Sequence, residues 1–307
     1  MLLHFDETRR SLEPAAELLA SGWTHVVDPT TDELRHLHIA GLPPKAVEHA
    51  LDADEIARID RDGATTLVVL RVPWHQSSSV ELPFRTVSLG VLLSGDAVIT
   101  VGRIETGVAR MLARTVRLRT GRPLDFLLRL LNTVAEQFLA HVRAIDEVVS
   151  SIESRLGAAL SNREVLELLR YQKGLVHFST ALESNRIMLE RLAKDPHASL
   201  DEAERDLLED VMVELRQATQ QARVSADILS NLMDAFASII SNNLNVVMKF
   251  LTSLTFIMTG PMVIVSLYGM NVALPGQHHG FAFLAVTAGS VVVSAAVALL
   301  FWKRGWL

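Results

Sequence analysis

The sequence predicts an α+β membrane protein: a cytoplasmic α/β domain, a long helical stalk and two transmembrane helices. Three observations carry this. From Phe250 to Trp302 the chain contains no Asp, Glu, Lys or Arg, while Lys249 precedes the run and Lys303 and Arg304 follow it. Ahead of residue 121, β-branched apolar segments punctuated by Gly and Pro alternate with short helical periods. Between Ser199 and Gly260 there is neither Gly nor Pro. The expected division is residues 1–121 for the α/β domain, 122–249 for the stalk and 250–307 for the membrane domain.

In the first part, "GWTHVVDPTTDEL" reads as a strand, a turn at Asp28-Pro29 and a helix start. "PPKAVEHALDADEIARID" has a helical period throughout. "ATTLVVLRVPW" and "RTVSLGVLLSGDAVITVG" read as strands of one sheet, with a hairpin near Ser94-Gly95-Asp96.

From Arg122-Pro123 onward the pattern turns helical. Pro123 suits a first turn, where its missing N–H costs nothing. Apolar residues then recur at helical spacing from Phe126 to Ile152, ending near Gly157. Ser161 with Glu164 forms a capping-box pattern opening a second helix to about Lys194, and Ser199 with Glu202 repeats it for a third. The third has no stop signal. Leu208, Val211, Leu215, Ala218, Ala222, Ser225, Leu229, Leu232, Phe236 and Ile239 give it a near-heptad seam. A helix that long needs partners along its length, so an oligomer is expected.

The charge-free run divides into two lengths that each span a bilayer, Phe250–Tyr268 and Phe281–Trp302, joined by a segment with turn formers. The competing reading is the buried core hairpin of a soluble protein. The basic flanks place both ends of the hairpin in the cytoplasm, giving a multi-pass protein of the inner (plasma) membrane with both termini cytoplasmic. The first residues, "MLLHFDETRR", lack the pattern of a secretory signal. A net charge of −6 with no dominant basic segment argues against a nucleic-acid partner, and the lack of Cys removes thiolate metal sites. No phosphate-cradling glycine loop, HExxH or Ser/His/Asp grouping points to an enzyme, and no cofactor is expected.

Within the first span one stripe carries amide, thioether and hydroxyl groups but no charge: Asn245, Met248, Leu251 (or Thr252), Thr255, Thr259, Met262 and Ser266. Two readings fit. Hydroxyls in membrane helices often bond their own i−4 carbonyl or a neighbouring helix. Alternatively, symmetric copies bring the stripe to a common axis, where neutral oxygens meet a hydrated cation and rings of Met and Leu gate by dewetting. Gly260-Pro261 would interrupt the helix and serve as a bend.

The segment "SNNLNVVMKFLTSLTFIMTGPMVIVSLYGMN" resembles the stalk end, first membrane helix and Tyr-Gly-Met-Asn signature of the CorA family of divalent metal-ion transporters. The likeness extends to "LMDAF" and, more loosely, to "WTHVVDPTTDEL" and "LVVLRVPW". It implies a homopentameric funnel in the lipid bilayer, with the first membrane helix lining the pore and divalent metal ions as cargo and regulatory ligands. Gly269, Met270 and Asn271 would form the outer mouth, Gly269 permitting the turn and Asn271 offering its amide oxygen to the hydrated ion. Asn245, Met248, Leu251 and Thr255 match the family's pore-lining positions. Asp234 matches a position where the family binds regulatory metal between subunits; the alternative is an exposed stalk carboxylate.

The sequence departs from the family pattern in places. Ser266 stands where a glycine is frequent, Pro261 is slightly displaced, and the outer loop "VALPGQHHG" has no carboxylate to concentrate cations. That loop and the ending "FWKRGWL" are more similar to the zinc-transporting ZntB branch. His278 and His279 are borderline-soft ligands suited to Zn2+, or else solvated turn residues. Zinc is therefore the first expectation, with magnesium or cobalt next, the latter as a channel gated by intracellular metal. A two-span scaffold or sensor is the rival from another class.

Overall fold

The computed structural model describes residues 1–6, 11–15, 21–39, 43–62, 65–76, 83–115, 122–154, 162–195, 200–270, 276 and 279–306. It divides into two compact units, Met1–Asn231 and Leu232–Leu307.

The first unit is built on one seven-stranded sheet, β2-β1-β3-β7-β6-β5-β4. Its strands are β1 (Leu2–Asp6), β2 (Ser11–Pro14), β3 (Gly22–Val27), β4 (Arg58–Asp62), β5 (Thr65–His75), β6 (Phe84–Ser94) and β7 (Ala97–Gly102). Every neighbouring pair is antiparallel except β3–β7, which runs parallel from Gly22↔Ala97 to Val27↔Gly102. The expected hairpin is present, with Gly95 at φ +55 between β6 and β7.

Helix α1 (Thr31–Ile39) starts on a reciprocal cap: the Glu33 amide donates to Thr30 Oγ1, and the Thr30 amide donates to the Glu33 carboxylate. Helix α2 (Pro44–Leu51) is shorter than its sequence period predicts. It ends at Asp52, and the remainder of that period becomes β4, whose Arg58, Asp60 and Arg61 suit a charged edge strand. One sheet face packs on α2 through Ala46, Val47 and Ala50 against Val26, Leu67, Val69, Leu92, Ile99 and Val101. The approach is close: a Cβ on Gly90 would lie 2.2 Å from Ala50 Cβ.

The other face carries α4 (Pro123–Ser154) and α5 (Asn162–Ala193), after a short α3 (Val108–Thr115) that the sequence reading does not contain. Trp23 meets Phe126 edge-on at 5.0 Å, and Phe138 meets Phe178 at 5.1 Å. Helix α6 (Glu202–Tyr268) has 67 residues, on the order of 100 Å at 1.5 Å per residue. Its N-cap is Asp201, exchanging hydrogen bonds with Glu204 at 2.8 and 3.0 Å, two residues beyond the expected Ser199–Glu202 box. Ser161 and Ser199 lie outside the described residues. The predicted seam is buried from Leu208 to Leu229, and Phe236 beyond it is buried too, whereas Ile239 is exposed.

In the second unit α6 continues through Gly260 and Pro261 without interruption, so the expected break is not there. Helix α7 (Ala282–Lys303) has 22 residues, about 33 Å, enough for a hydrocarbon core of about 30 Å. Both helices are long and apolar enough to cross a membrane, and only 6% of each apolar window is buried. That exposure disfavours a soluble core hairpin, whose apolar residues would be covered.

Candidate ion pathway

Helix α7 covers one face of the apolar part of α6. Ser253 is fully buried, the Ser294 hydroxyl of α7 donates to the Ile257 carbonyl at 3.3 Å, and a Cβ on Gly260 would lie 3.0 Å from Val293 Cγ1. Ile264 lines a cleft with Phe281, Ala285 and Gly289 of the same unit. At about 100° per residue, positions 253, 257, 260 and 264 fall on one line along the helix.

From Met248 to Ser266 the stripe singled out in the sequence lies on the opposite side, roughly 150–230° around, while Asn245 lies about a quarter turn from the α7 line. All of Asn245, Met248, Leu251, Thr255, Thr259, Met262 and Ser266 are exposed, Met262 at 69%. Thr252 is half-buried, so Leu251 is the member on the free face. The sequence reading missed the α7-facing set. Its signal was the small-residue pair Ser253 and Gly260 at helical spacing.

The two threonines resolve their chemistry within the helix. Thr255 Oγ1 donates to the Leu251 carbonyl at 2.9 Å, and Thr259 Oγ1 donates to the Thr255 carbonyl at 2.7 Å. Each hydroxyl proton is thus spent, and what remains facing outward is oxygen lone pairs. First-shell waters of a cation point their hydrogens outward, so such acceptors match a hydrated cation and mismatch a hydrated anion. The two sequence readings of these hydroxyls are therefore compatible.

At the end of α6 the Gly269 amide donates to the Val265 carbonyl at 2.9 Å and the Met270 amide to Leu267 at 3.4 Å. Gly269 keeps an ordinary φ, and among the described residues of this segment Gly276 is left-handed, φ +82. A Cβ at Gly269 would sit 3.3 Å from the Val265 carbonyl oxygen, a tight contact with the last turn of the helix. Met270 is exposed. Asn271 and His278 lie outside the described residues. His279 packs its ring 5.4 Å from Phe281. Asp234 is exposed on α6, and among the described residues no three His, Cys, Asp or Glu side chains converge on a metal position.

The model of the family described as CorA-like Mg2+ transporter protein matches residues 20–304. A cobalt/magnesium transport protein CorA of Methanocaldococcus jannaschii is 27% identical over 93% of this chain and 91% of its own. The complete structure of the CorA magnesium transporter from that organism superposes with a TM-score of 0.83 at 22% identity, covering 100% of this chain and 98% of the other. The ZntB cytoplasmic domain from Vibrio parahaemolyticus shares the fold at a TM-score of 0.60 and 13% identity, over 78% of this chain and 98% of that domain. With the family match running over nearly its whole length, the chain belongs to the CorA family of divalent-cation transporters.

Proposed function

We propose that copies of this chain assemble around an axis, as a pentamer, and pass divalent cations with their hydration shell along the polar stripe of α6. The observation that carries this is the stripe's position: α7 covers the opposite face and leaves Met248, Leu251, Thr255, Thr259 and Met262 free, with Asn245 exposed at the start of the stripe. Neutral oxygens without carboxylates suit an ion that sheds water reluctantly, as Mg2+ does. Gly269, Met270 and Asn271 form the outer mouth, with Asn271 the selectivity residue. The protein sits in the plasma membrane with Lys249, Lys303 and Arg304 on the cytoplasmic side. The functional division is residues 1–121, 122–249 and 250–307, and Asp234 binds regulatory metal between subunits.

The relatives named for cobalt and magnesium favour those ions as cargo. A second reading, zinc, is favoured by His278 and His279 in a loop without carboxylates. Uptake by proteoliposomes separates the readings. Mg2+ and Co2+ should enter at a rate lost in Asn271→Ala, and His278→Ala/His279→Ala should leave that rate unchanged. If Zn2+ enters faster and the histidine variant slows it, zinc is the cargo. No flux of any of these ions, with Asn271→Ala indistinguishable, would favour a scaffold or sensor.

A further inference from the structure

The second unit carries positive charge that nothing within it balances. Lys249, Lys303 and Arg304 are all exposed, and from Ala235 onward the sequence contains neither Asp nor Glu. Asp234, the last acidic residue, precedes Lys249 by 15 residues of helix, roughly 22 Å. The helix pair brings the three cations to one level. Ser294 meets Ile257 and Val293 meets Gly260, so the two helices run antiparallel. Stepping on from the first contact sets Trp302 level with Lys249, since 294 to 302 and 257 to 249 are both eight residues. Stepping on from the second sets Arg304 there, since 293 to 304 and 260 to 249 are both eleven. Lys249 also lies within about 40° of Ser253, the residue that α7 buries.

The end of α7 holds this arrangement in place. Gly305 takes the left-handed conformation, φ +67, and its amide donates to the Trp302 carbonyl at 3.0 Å. The Trp306 amide donates to the Phe301 carbonyl, also at 3.0 Å. These are the two bonds of a Schellman ending, and the apolar contact that accompanies it is present as well: the Trp306 ring stacks on Phe301 at 5.3 Å and 21°. Phe301 in turn packs 6.0 Å from Phe256 of α6. The tail is thus folded back onto the helix pair, with Trp302 68% exposed beside the two basic residues. Cations at the end of α7 complement its dipole, but Lys249 lies inside α6, where no terminus accounts for it.

Next to the cations the helix pair leaves a cleft of about 360 Å³, lined by Phe256, Ala296, Val297, Leu300 and Phe301. All five side chains are hydrocarbon, and the volume is that of a small-ligand site. Leu300 stands one turn from Lys303 and Arg304, and Phe256 two turns from Lys249, so the cleft opens directly beside the basic level. Cations without counter-charge next to a purely apolar cleft match, in that order, the headgroup and the acyl chain of one lipid.

We infer that this end of the helix pair is a binding site for an anionic phospholipid, its phosphate held by Lys249, Lys303 and Arg304 and an acyl chain laid in the cleft beside Ala296. A zwitterionic lipid brings a cation of its own and leaves the excess positive charge uncompensated, whereas a headgroup of net negative charge neutralises it. Free phosphate meets the cations but leaves the cleft empty of hydrocarbon. Because Lys249 belongs to α6 and the other two cations to α7, one bound headgroup ties the two helices together. The site needs only that the pair crosses a bilayer, and it holds whether or not the α6 stripe conducts ions.

The test titrates phosphatidylglycerol with brominated acyl chains into full-length protein in detergent and reads the quenching of Trp302 and Trp306. The other two tryptophans, Trp23 and Trp74, lie in the sheet of the first unit. Brominated phosphatidylcholine and inorganic phosphate are the comparison arms. Phosphatidylglycerol should bind about tenfold or more tightly than phosphatidylcholine, and inorganic phosphate should not displace it. Lys249→Gln, Lys303→Gln and Arg304→Gln should each weaken it about fivefold, the worth of one surface cation, and the triple variant should lose the preference. Ala296→Phe, which fills the cleft, should weaken both lipids. Should that variant fail to fold, the charge variants, all at exposed side chains, still decide. Equal binding of the two lipids, displacement by phosphate, a preference retained in the triple variant, or a folded Ala296→Phe that binds as wild type would each overturn the assignment. So would the lack of quenching by either lipid, the result expected if a second copy of the chain covers the cleft.

Discussion

Ser294 of α7 donates its hydroxyl to the carbonyl of Ile257 at 3.3 Å, and Ile257 is the acceptor that Pro261 leaves unpaired four residues on. A proline inside a helix has no N–H for the i−4 carbonyl, and in a bilayer no water replaces it. The second helix supplies the missing donor. This is how α6 runs unbroken through a residue expected to bend it.

The first prediction follows from that bond. Ser294→Ala should destabilise the helix pair by roughly 1 kcal/mol, the size of such bonds in membranes. Pro261→Ala restores the backbone donor, so Ser294→Ala should cost much less in that background. Thermal unfolding of the four proteins in one detergent measures the coupling. Strictly additive effects would mean that Ser294 serves another purpose.

The same pair shows what the sequence makes legible. The spans were readable because the absence of charge over Phe250–Trp302 is a statement about solvent, which needs no partner to interpret. The stripe was readable because helical spacing alone groups Asn245 through Ser266. The rescue of Pro261 was not, since it depends on where a residue 33 positions later lands. For a similar reason α2 is shorter than its sequence period: the period of "ALDADEIARID" continues, but Asp52 caps the helix and β4 pairs with β5 instead. The cap of α6 moved because Asp201, an equally good acceptor, stands closer to the helix than Ser199.

A second prediction concerns the joint between α5 and the sheet. The fully buried Asn185 accepts from the Arg71 amide at 2.8 Å and donates to the Arg71 carbonyl at 2.7 Å. Register pairing with β4 stops at Val69, so Arg71 has no strand partner on that side. Asn185→Leu keeps the volume but leaves both backbone groups bare, at about 1–3 kcal/mol each. A clearly lowered melting temperature is expected. Asn185→Asp should also lower it, since an ionised carboxylate there is fully buried and faces the Arg71 carbonyl.

The third prediction is a pH dependence of folding. His141 on α4 packs among Phe84 and Phe178, with His75 at 6.1 Å. Burial foremost, then the neighbouring His75, push its pKa below the ordinary histidine value. The folded state therefore resists a proton that the unfolded chain accepts. Stability should be full above the unfolded value of about 6.5, fall as pH drops below it, and level off beneath the depressed folded pKa. His141→Phe should flatten that part of the profile. An identical slope in the variant would place the titration elsewhere.

The fourth prediction isolates the outward lone pairs of Thr255 and Thr259. Valine matches threonine in shape, so Thr255→Val/Thr259→Val removes only the oxygens and leaves the face opposite α7 the same width. The internal bonds to Leu251 and Thr255 carbonyls vanish with them, but such back-bonds add nothing to helix stability, so folding and assembly should be unaffected. What changes is the surface met by a hydrated ion. Its outward hydrogens lose acceptors at two successive turns, and the apolar length next to Met262 grows, which favours dewetting. Uptake into proteoliposomes should slow roughly tenfold, equivalent to about 1.4 kcal/mol of barrier. Thr255→Ser/Thr259→Ser, which keeps the oxygens, should conduct near the wild-type rate. Equal uptake by the valine and serine variants would mean that cations do not travel along this face of α6.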